Sequence, residues 1–289
     1  MTPRFAALLR LAHGAMTPRS VDRLLERYGS PEVAVEAIER RKAEVPDGIR
    51  NEVVVSAADR LARLSALGVA FVSSEGLPAR LDRIGSGPRW LFVDGALADQ
   101  PTIGIVGTRT CTQYGLELAG AYGAACADRG WVVASGLARG IDAAAHEGVV
   151  AHGGRAIAVL GSGIDVMYPR SNRGLSNRIL EAGGAVCSEF PPGTRPDRWR
   201  FPARNRIIAG LSDVLIVVEA GETGGALITS RIALEHGIPV WATPGDIDRP
   251  ASAGTNALIR DGAFPVFGPD DLGAALDLIV ALHTRSNAT

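Results

Sequence analysis

Between Phe190 and Gly210 the chain carries Arg195, Arg198, Arg200, Arg204 and Arg206 against one acid, Asp197, with Phe201 set among them in the run FPARNRIIAG. A guanidinium fork binds phosphate oxygens bidentately, and an aromatic ring gives an unstacked base a surface to lie on. The segment, with Asn205 inside its RNR core, reads as a single-strand nucleic-acid site. The plainer alternative is a solvated arginine-rich loop. Against it, five cations beside one acid repel one another unless an anion joins them.

Further arginines stand beside glycines where strand-like runs end. GIVGTR sets Arg109 behind Gly104 and Gly107, SGLARGID gathers Ser135, Gly136 and Gly140 around Arg139, and LGSGIDVMYPR ends on Arg170. EAGETGGALITS places Gly224 and Gly225 at the head of a helical run. In an open parallel sheet ligands bind at the carboxyl ends of strands, where helix N-termini direct backbone donors outward. Each glycine-rich strand end is by itself a common packing device. Jointly they describe a basin of glycine and arginine suited to a sugar-phosphate backbone or a phosphorylated small molecule.

Catalytic chemistry is thinner. Asp142 and His146, four residues apart on one helical face, have the spacing of a hydrogen-bonded pair or of two metal ligands. No third ligand is near in sequence, so the hydrogen-bonded pair is the expectation and no metal is. Asp165, Glu219 and Glu222 offer carboxylates at strand ends, but no nucleophile stands beside a base. Cys111, Cys126 and Cys187 are widely spaced and read as buried thiols. Lys42, the only lysine, sits in the charged run ERRKAE, which excludes a Walker-type phosphate loop and a pyridoxal Schiff base. GSGIDV has Val166 where a dinucleotide fingerprint needs its third glycine. The expectation is a binding protein with no catalytic residue and no cofactor.

The elements that must position these residues follow from periodicity. Residues 1–68 read as a small helical domain, with Thr17–Pro18 starting VDRLLERY, a longer helix VAVEAIERRKAE running to Pro46, and VVVSAADRLARLSALG after it. From Val69 the pattern turns to short strands, VAFVS and RWLFVDG, expected at a sheet edge. Beyond them apolar strands alternate with amphipathic helices, among them a helix opening at RNRIIAGLS. The fold class is α/β, an extended Rossmann-like, doubly wound parallel sheet over residues 69–289. Charge is unevenly spread: residues 101–210 carry 12 basic and 8 acidic side chains, and residues 211–289 carry 4 and 10. A net charge of −1 thus conceals a basic middle and an acidic end. No long apolar run and no signal-peptide pattern is present, so a cytoplasmic protein is expected.

GIVGTRTCTQYG, SGLARGIDAAAH, VLGSGIDVMYP, FPARNRIIAGLSDVLIVVEAGETGGALITS and TPGDIDRPASAGTNALIRDGA together resemble the DprA/Smf family of DNA-processing proteins. The resemblance runs from about residue 100 to 268, and FPARNRIIAGLS is its most specific block. It implies an extended Rossmann-type fold that binds single-stranded DNA without sequence preference, protects it and loads the RecA recombinase during natural transformation, as a homodimer and not as an enzyme. The family's basic and aromatic DNA contacts fall on Arg109, Arg170, Phe201, Arg204 and Arg206, with Arg198 or Arg200 just before. The N-terminal helices resemble the small helix-hairpin-helix-like domain that commonly precedes this core. The winged helix that many members carry at the C-terminus is expected to be absent or removed, since the chain stops at Thr289. The runner-up resemblance, through GETGGALITS, is to nucleotide-monophosphate phosphoribohydrolases; their turn carries an acid where this chain has Ala226 to Thr229.

Overall fold

Thr2, Thr17 and Ser30 each precede a proline, and in a computed structural model of the chain each caps a helix. Their hydroxyls accept the backbone N–H groups of Phe5, Ser20 and Val33, and the proline takes the first helical position, where an N–H has no intrahelical partner. The helices so started are α1 (Pro3–His13), α2 (Pro18–Tyr28) and α3 (Pro31–Glu39). α3 stops well before Pro46, because the chain turns at Arg41 with φ 57°. A helix that sequence did not suggest, α4 (Asp47–Val53), fills the interval, and Ser56 caps α5 (Ala57–Ala66). The structure describes residues 1–286 except Ser86 and Ala98, with side chains to Leu282; residues 287–289, assigned above to the second domain, lie outside the described residues.

The remaining elements alternate. They run β1 (Ala70–Ser73), β2 (Trp90–Gly95), β3 (Thr102–Val106), α6 (Gln113–Ala127), β4 (Val132–Ser135), α7 (Ile141–Ala151), β5 (Ala156–Leu160), α8 (Arg173–Glu181) and β6 (Ala185–Ser188). Then come α9 (Arg200–Leu211), β7 (Val214–Val217), α10 (Gly225–Glu235), β8 (Val240–Ala242), α11 (Ala253–Arg260), β9 (Phe264–Pro265) and α12 (Pro269–Ser286). Among the described residues the strands form one sheet of order β1-β2-β6-β5-β4-β3-β7-β8-β9. It is parallel from β6 to β9; β1 and β2 pair antiparallel and join β6 antiparallel, so the expected edge strands make the sheet mixed.

β3 to β7 are buried along their whole length, as parallel strands covered on both faces must be. One cluster joins Leu118 of α6, Ile141 and Val149 of α7, Ile179 of α8 and Leu272 of α12 to Ile103 and Val133. The same cluster takes in Leu8, Leu9, Leu11, Phe71 and Phe92, so the N-terminal helices pack onto the β1-β2 edge. A second cluster lies under Ile207 and Ile208 of α9 and Ala233 of α10. The direction of winding reverses between β3 and β7, the switch point at which such sheets open a crevice. No helix among the described residues is long and apolar enough to cross a membrane.

Candidate nucleic-acid interface

A cavity of about 830 Å³ opens at the switch point, over the carboxyl ends of β3 and β7. Arg109, Arg198, Phe201, Arg204 and Asn205 line it, together with the Gly221–Gly225 loop that leads into α10. A niche of about 30 Å³ beside it is lined by Arg109, Gly136, Arg139, Tyr168, Phe201 and Arg204. The two share Arg109, Phe201, Arg204 and Tyr168, so they form one continuous basin.

Helical phase decides which arginines of the FPARNR block reach this basin. α9 starts at Arg200, four residues earlier than the RNR opening read from sequence, because Pro202 falls in the first turn, where proline is tolerated. Phe201, Arg204, Asn205 and Ile208 then share one face, at i, i+3, i+4 and i+7, and all four line the cavity. Arg206, two residues beyond Arg204, points elsewhere. Its Nη2 donates to both carboxylate oxygens of Glu189, at 2.6 and 2.7 Å, in a pair whose side chains are each 9% exposed. The expectation that Arg206 faces DNA is therefore corrected: it is a buried strut. Glu189 is one residue outside the window in which the five arginines faced a single acid.

Arg204 is also buried. Its Nη1 donates to the carbonyls of Gly136 and Val159, and its Nε donates to Asn205 Oδ1 at 3.1 Å. A Cβ at Gly136 would sit 2.3 Å from Arg204 Nη2, so a larger residue there would displace the guanidinium. Burial pulls the guanidinium down to about 10, opposed by the charge of Asp142, so it stays a cation at neutral pH. Arg204 thus forms part of the basin's floor and is not an exposed contact. Asn205 Nδ2 donates to the Gly225 carbonyl at 3.1 Å and ties the same face of α9 to the start of α10.

Arg109, Arg139, Arg198 and Arg231 are exposed cations of the basin. Arg109 leaves the end of β3 and holds its Cζ 4.9 Å from the centre of the Phe201 ring, a cation–π contact. Arg139 follows β4 on a loop whose return requires Gly140 at φ 81°, where a Cβ would meet the Thr108 carbonyl at 2.5 Å. Arg200 stands outside the basin, with Cζ 4.8 Å from the Trp199 ring and 5.4 Å from Phe190, and Nη1 bonded to the Arg195 carbonyl. Arg170 is exposed in the turn before α8 and lines neither the cavity nor the niche. Ser135 is buried, and its hydroxyl donates to the Ile105 carbonyl at 2.5 Å, so it supports the sheet and does not face a ligand.

The expected Asp142–His146 hydrogen bond does not form. Asp142 Oδ2 instead accepts the N–H groups of Gly136 at 3.1 Å and Ala138 at 3.4 Å, fixing the loop that carries Arg139. Burial raises its pKa, with Arg204 opposing. His146 is wholly buried, and burial pulls its pKa to about 3, opposed by the Ile157 backbone. Of the other carboxylates, Glu219 accepts the hydroxyl and N–H of Thr112 and Asp165 accepts the Gly193 N–H; Glu222 is exposed at the cavity rim. Cys126 and Cys187 are buried as expected, whereas Cys111 is half-buried, its thiol pushed up mainly by burial. Tyr168 and Arg231, which line the cavity, went unmarked in the sequence; the Tyr-Pro step before Arg170 was the signal for Tyr168.

A model of the DNA recombination-mediator protein A family matches residues 68–277. The chain belongs to that family. Over 201 residues it is 42% identical to Protein Smf of Escherichia coli (strain K12), a match covering 69% of this chain and 54% of that one, so the chain spans about half of that relative's length. The X-ray structure of DNA processing protein A (DprA) from Streptococcus pneumoniae resembles it with a TM-score of 0.79 and 32% identity, covering 95% of this chain and 98% of that chain. DNA processing protein A from Helicobacter pylori, described for its single-stranded DNA binding mode, gives 0.65 at 28% identity, covering 71% and 95%. These findings bear out the DprA/Smf resemblance carried by the glycine- and arginine-rich blocks. In this member of the DprA family those blocks converge on the switch-point basin.

Proposed function

We propose that this protein binds single-stranded DNA in the switch-point basin without reading its sequence. The observation that carries the reading is the convergence of Arg109, Arg139, Arg198 and the buried Arg204 around two aromatic rings, Phe201 and Tyr168. Cations at that spacing track a phosphate backbone, and rings among them accept bases that a duplex keeps stacked. The single-stranded DNA binding described for the Helicobacter pylori relative supports it. Of the sites expected from sequence, Arg109, Arg139 and Arg198 are the proposed direct contacts, with Gly136 and Asn205 lining the same walls and Arg170 within reach of a longer strand.

The wider role rests on the family: protection of incoming DNA, loading of RecA, and a cytoplasmic, non-enzymatic task in transformation and recombination. The division into a helical module, residues 1–68, and a DNA-binding core belongs to the same proposal, supported by a family match that begins at residue 68. So does a homodimer. Phe264, Phe267 and Leu278 are exposed apolar side chains of the β9–α12 segment and Ile247 is one of the loop after β8, and two joined basins would hold a long strand by raising its effective concentration. The test is binding of short oligonucleotides, single-stranded against duplex, across a salt series. Preference for the single strand with a linear fall of log affinity in log salt is the expected result; equal affinity for both forms refutes it.

A further inference from the structure

Arginine recurs at every fourth position of α2, as Arg19, Arg23 and Arg27. At 3.6 residues per turn the three side chains form one slanting row, spaced about 6 Å apart along the helix axis. All three are exposed. Elsewhere in the helical module Arg10, Arg40, Arg50 and Arg60 each pair with a carboxylate. The α2 row has no ion pair among the described residues: Arg27 Cζ lies 5.6 Å from the centre of the Tyr28 ring, and Arg23 Nη2 donates to the Ser20 hydroxyl at 3.5 Å. Of the acids on α2, Asp22 is taken by Arg89 at 3.1 Å and Glu26 flanks the row. Like charges four residues apart destabilise a helix, so a row left this way gains from an anion that spans it.

The row adjoins a path to the basin. Met16, Pro18 and Asp22, about the start of α2, enclose a small cavity with Glu189, Phe190 and Pro191 just past β6. Pro191 opens the segment that leads to α9, and on that segment Arg195 and Arg198 are exposed. It is braced at its far end, where Trp199 meets Phe190 edge to face at 5.7 Å and Arg200 Nη1 donates to the Arg195 carbonyl at 2.7 Å. Arg198 lines the basin at one end of the segment, and the α2 row starts beside the other. A course of cations thus leads from the basin onto the helical module.

We propose that the arginine row of α2 is a second phosphate-binding surface, which takes the backbone of a DNA strand after it leaves the basin along the 191–199 segment. The proposal rests on the single-stranded DNA reading and extends it to the helical module. Contacts to phosphate carry no sequence information, so the row adds affinity and a direction of exit without adding a sequence preference. A strand short enough to lie within the basin never meets it. A longer one releases further counterions there, and its binding becomes more sensitive to salt.

The experiment measures binding of thymidine oligonucleotides of about 6 and about 30 nucleotides across a salt series, with the full chain, a triple variant carrying Arg19→Gln, Arg23→Gln and Arg27→Gln, and a second with lysine at the same three positions. On the long strand the glutamine variant should show a salt slope flatter by about 2, from about 0.7 for each of three phosphates. Between about 50 and about 200 mM salt the wild type should then lose roughly 20-fold more affinity than that variant. The lysine variant keeps the charges and should follow the wild type, and on the short strand all three proteins should bind alike. Melting temperatures should coincide, since the side chains are on the surface; should the triple variant melt early, Arg23→Gln alone carries the test, with a slope flatter by about 0.7. An unchanged long-strand slope, or a loss confined to duplex DNA, overturns the second surface and leaves the basin standing. Equal flattening on the short strand puts the row within the basin's own reach and overturns the proposed course. A wild type that binds neither strand overturns both readings.

Discussion

Replacing Arg206 by methionine separates a strut from a phosphate contact. Arg206 and Glu189 are each 9% exposed, and both carboxylate oxygens accept from one guanidinium nitrogen at 2.6 and 2.7 Å. Burial raises the Glu189 pKa, with Arg206 opposing. Removing one partner of such a pair leaves the other buried and uncompensated, which costs about 3–5 kcal/mol. At about 2–4 °C per kcal/mol for a chain of this size class, the melting temperature should fall by roughly 6–20 °C. The double variant Glu189→Leu with Arg206→Met removes both charges and should recover to within about 1 kcal/mol of the wild type, since an apolar pair of similar volume is often neutral. Urea unfolding gives the stabilities, and anisotropy of a labelled oligonucleotide below the melting range gives the salt slope. The slope should not change in either variant. A melting temperature that stays put while the slope drops by about 0.7, the single-strand value per lost phosphate contact, would refute the strut and return Arg206 to the DNA face.

Arg109→Ala should do the reverse of Arg206→Met: a melting temperature near the wild type and a salt slope flatter by about 0.7. His146 gives a pH signature. Its folded pKa of about 3 lies below the ordinary 6.5, so its stabilising contribution is complete above 6.5 and is lost as pH falls towards 3. Between pH 7.5 and 5 this amounts to about 2 kcal/mol, by which the loss in urea unfolding should be larger in the wild type than in His146→Leu, since His13, lowered to about 4 by burial, adds its own loss to both; equal losses would remove the argument. Asp142 and Glu189, whose pKa values are raised, act in the opposite sense in both proteins and cancel in the comparison. Phe267→Asp, at an apolar residue 74% exposed, should shift sedimentation from dimer to monomer at micromolar protein; unchanged sedimentation would place the dimer contact elsewhere.

Strands and helices of the α/β core were legible because both kinds of period are strong there: β3 to β7 are apolar but for a hydroxyl residue at some of their ends, and amphipathic helices alternate with them. The errors arose where a local rule met a distant partner. The run VAVEAIERRKAE has helical composition to Pro46, but α3 ends at Glu39 and α4 takes over, an outcome fixed by packing against α1. The arginines of the FPARNR block were visible, and their count suggested one shared anion. What separates Arg204 from Arg206 is the phase of α9 and the position of Glu189 at the end of β6, which no window confined to the block contains. Ser135 shows the opposite limit: a hydroxyl at a strand end resembles a ligand donor until the neighbouring strand supplies a carbonyl for it.

The basin and its surroundings also answer the objection that the arginines gathered there should repel one another. Arg204 is surrounded by carbonyls and by Asp142, Arg206 is paired with Glu189, Arg109 rests over Phe201, and Arg200 rests on Trp199 beside Asp197. Each of these four guanidinium groups has a local counterweight, and Arg139 and Arg198 are exposed to solvent. The counterweights differ in kind. Carbonyls and a buried carboxylate occupy the donors they meet, which removes Arg206 from binding and restricts Arg204 to the floor. A ring occupies only the face of a guanidinium and leaves its edge donors free, so Arg109 can take a phosphate without leaving Phe201. On the proposed reading, the division between aromatic-held and carboxylate-held arginines is what would let this surface take DNA as well as serve as a set of struts.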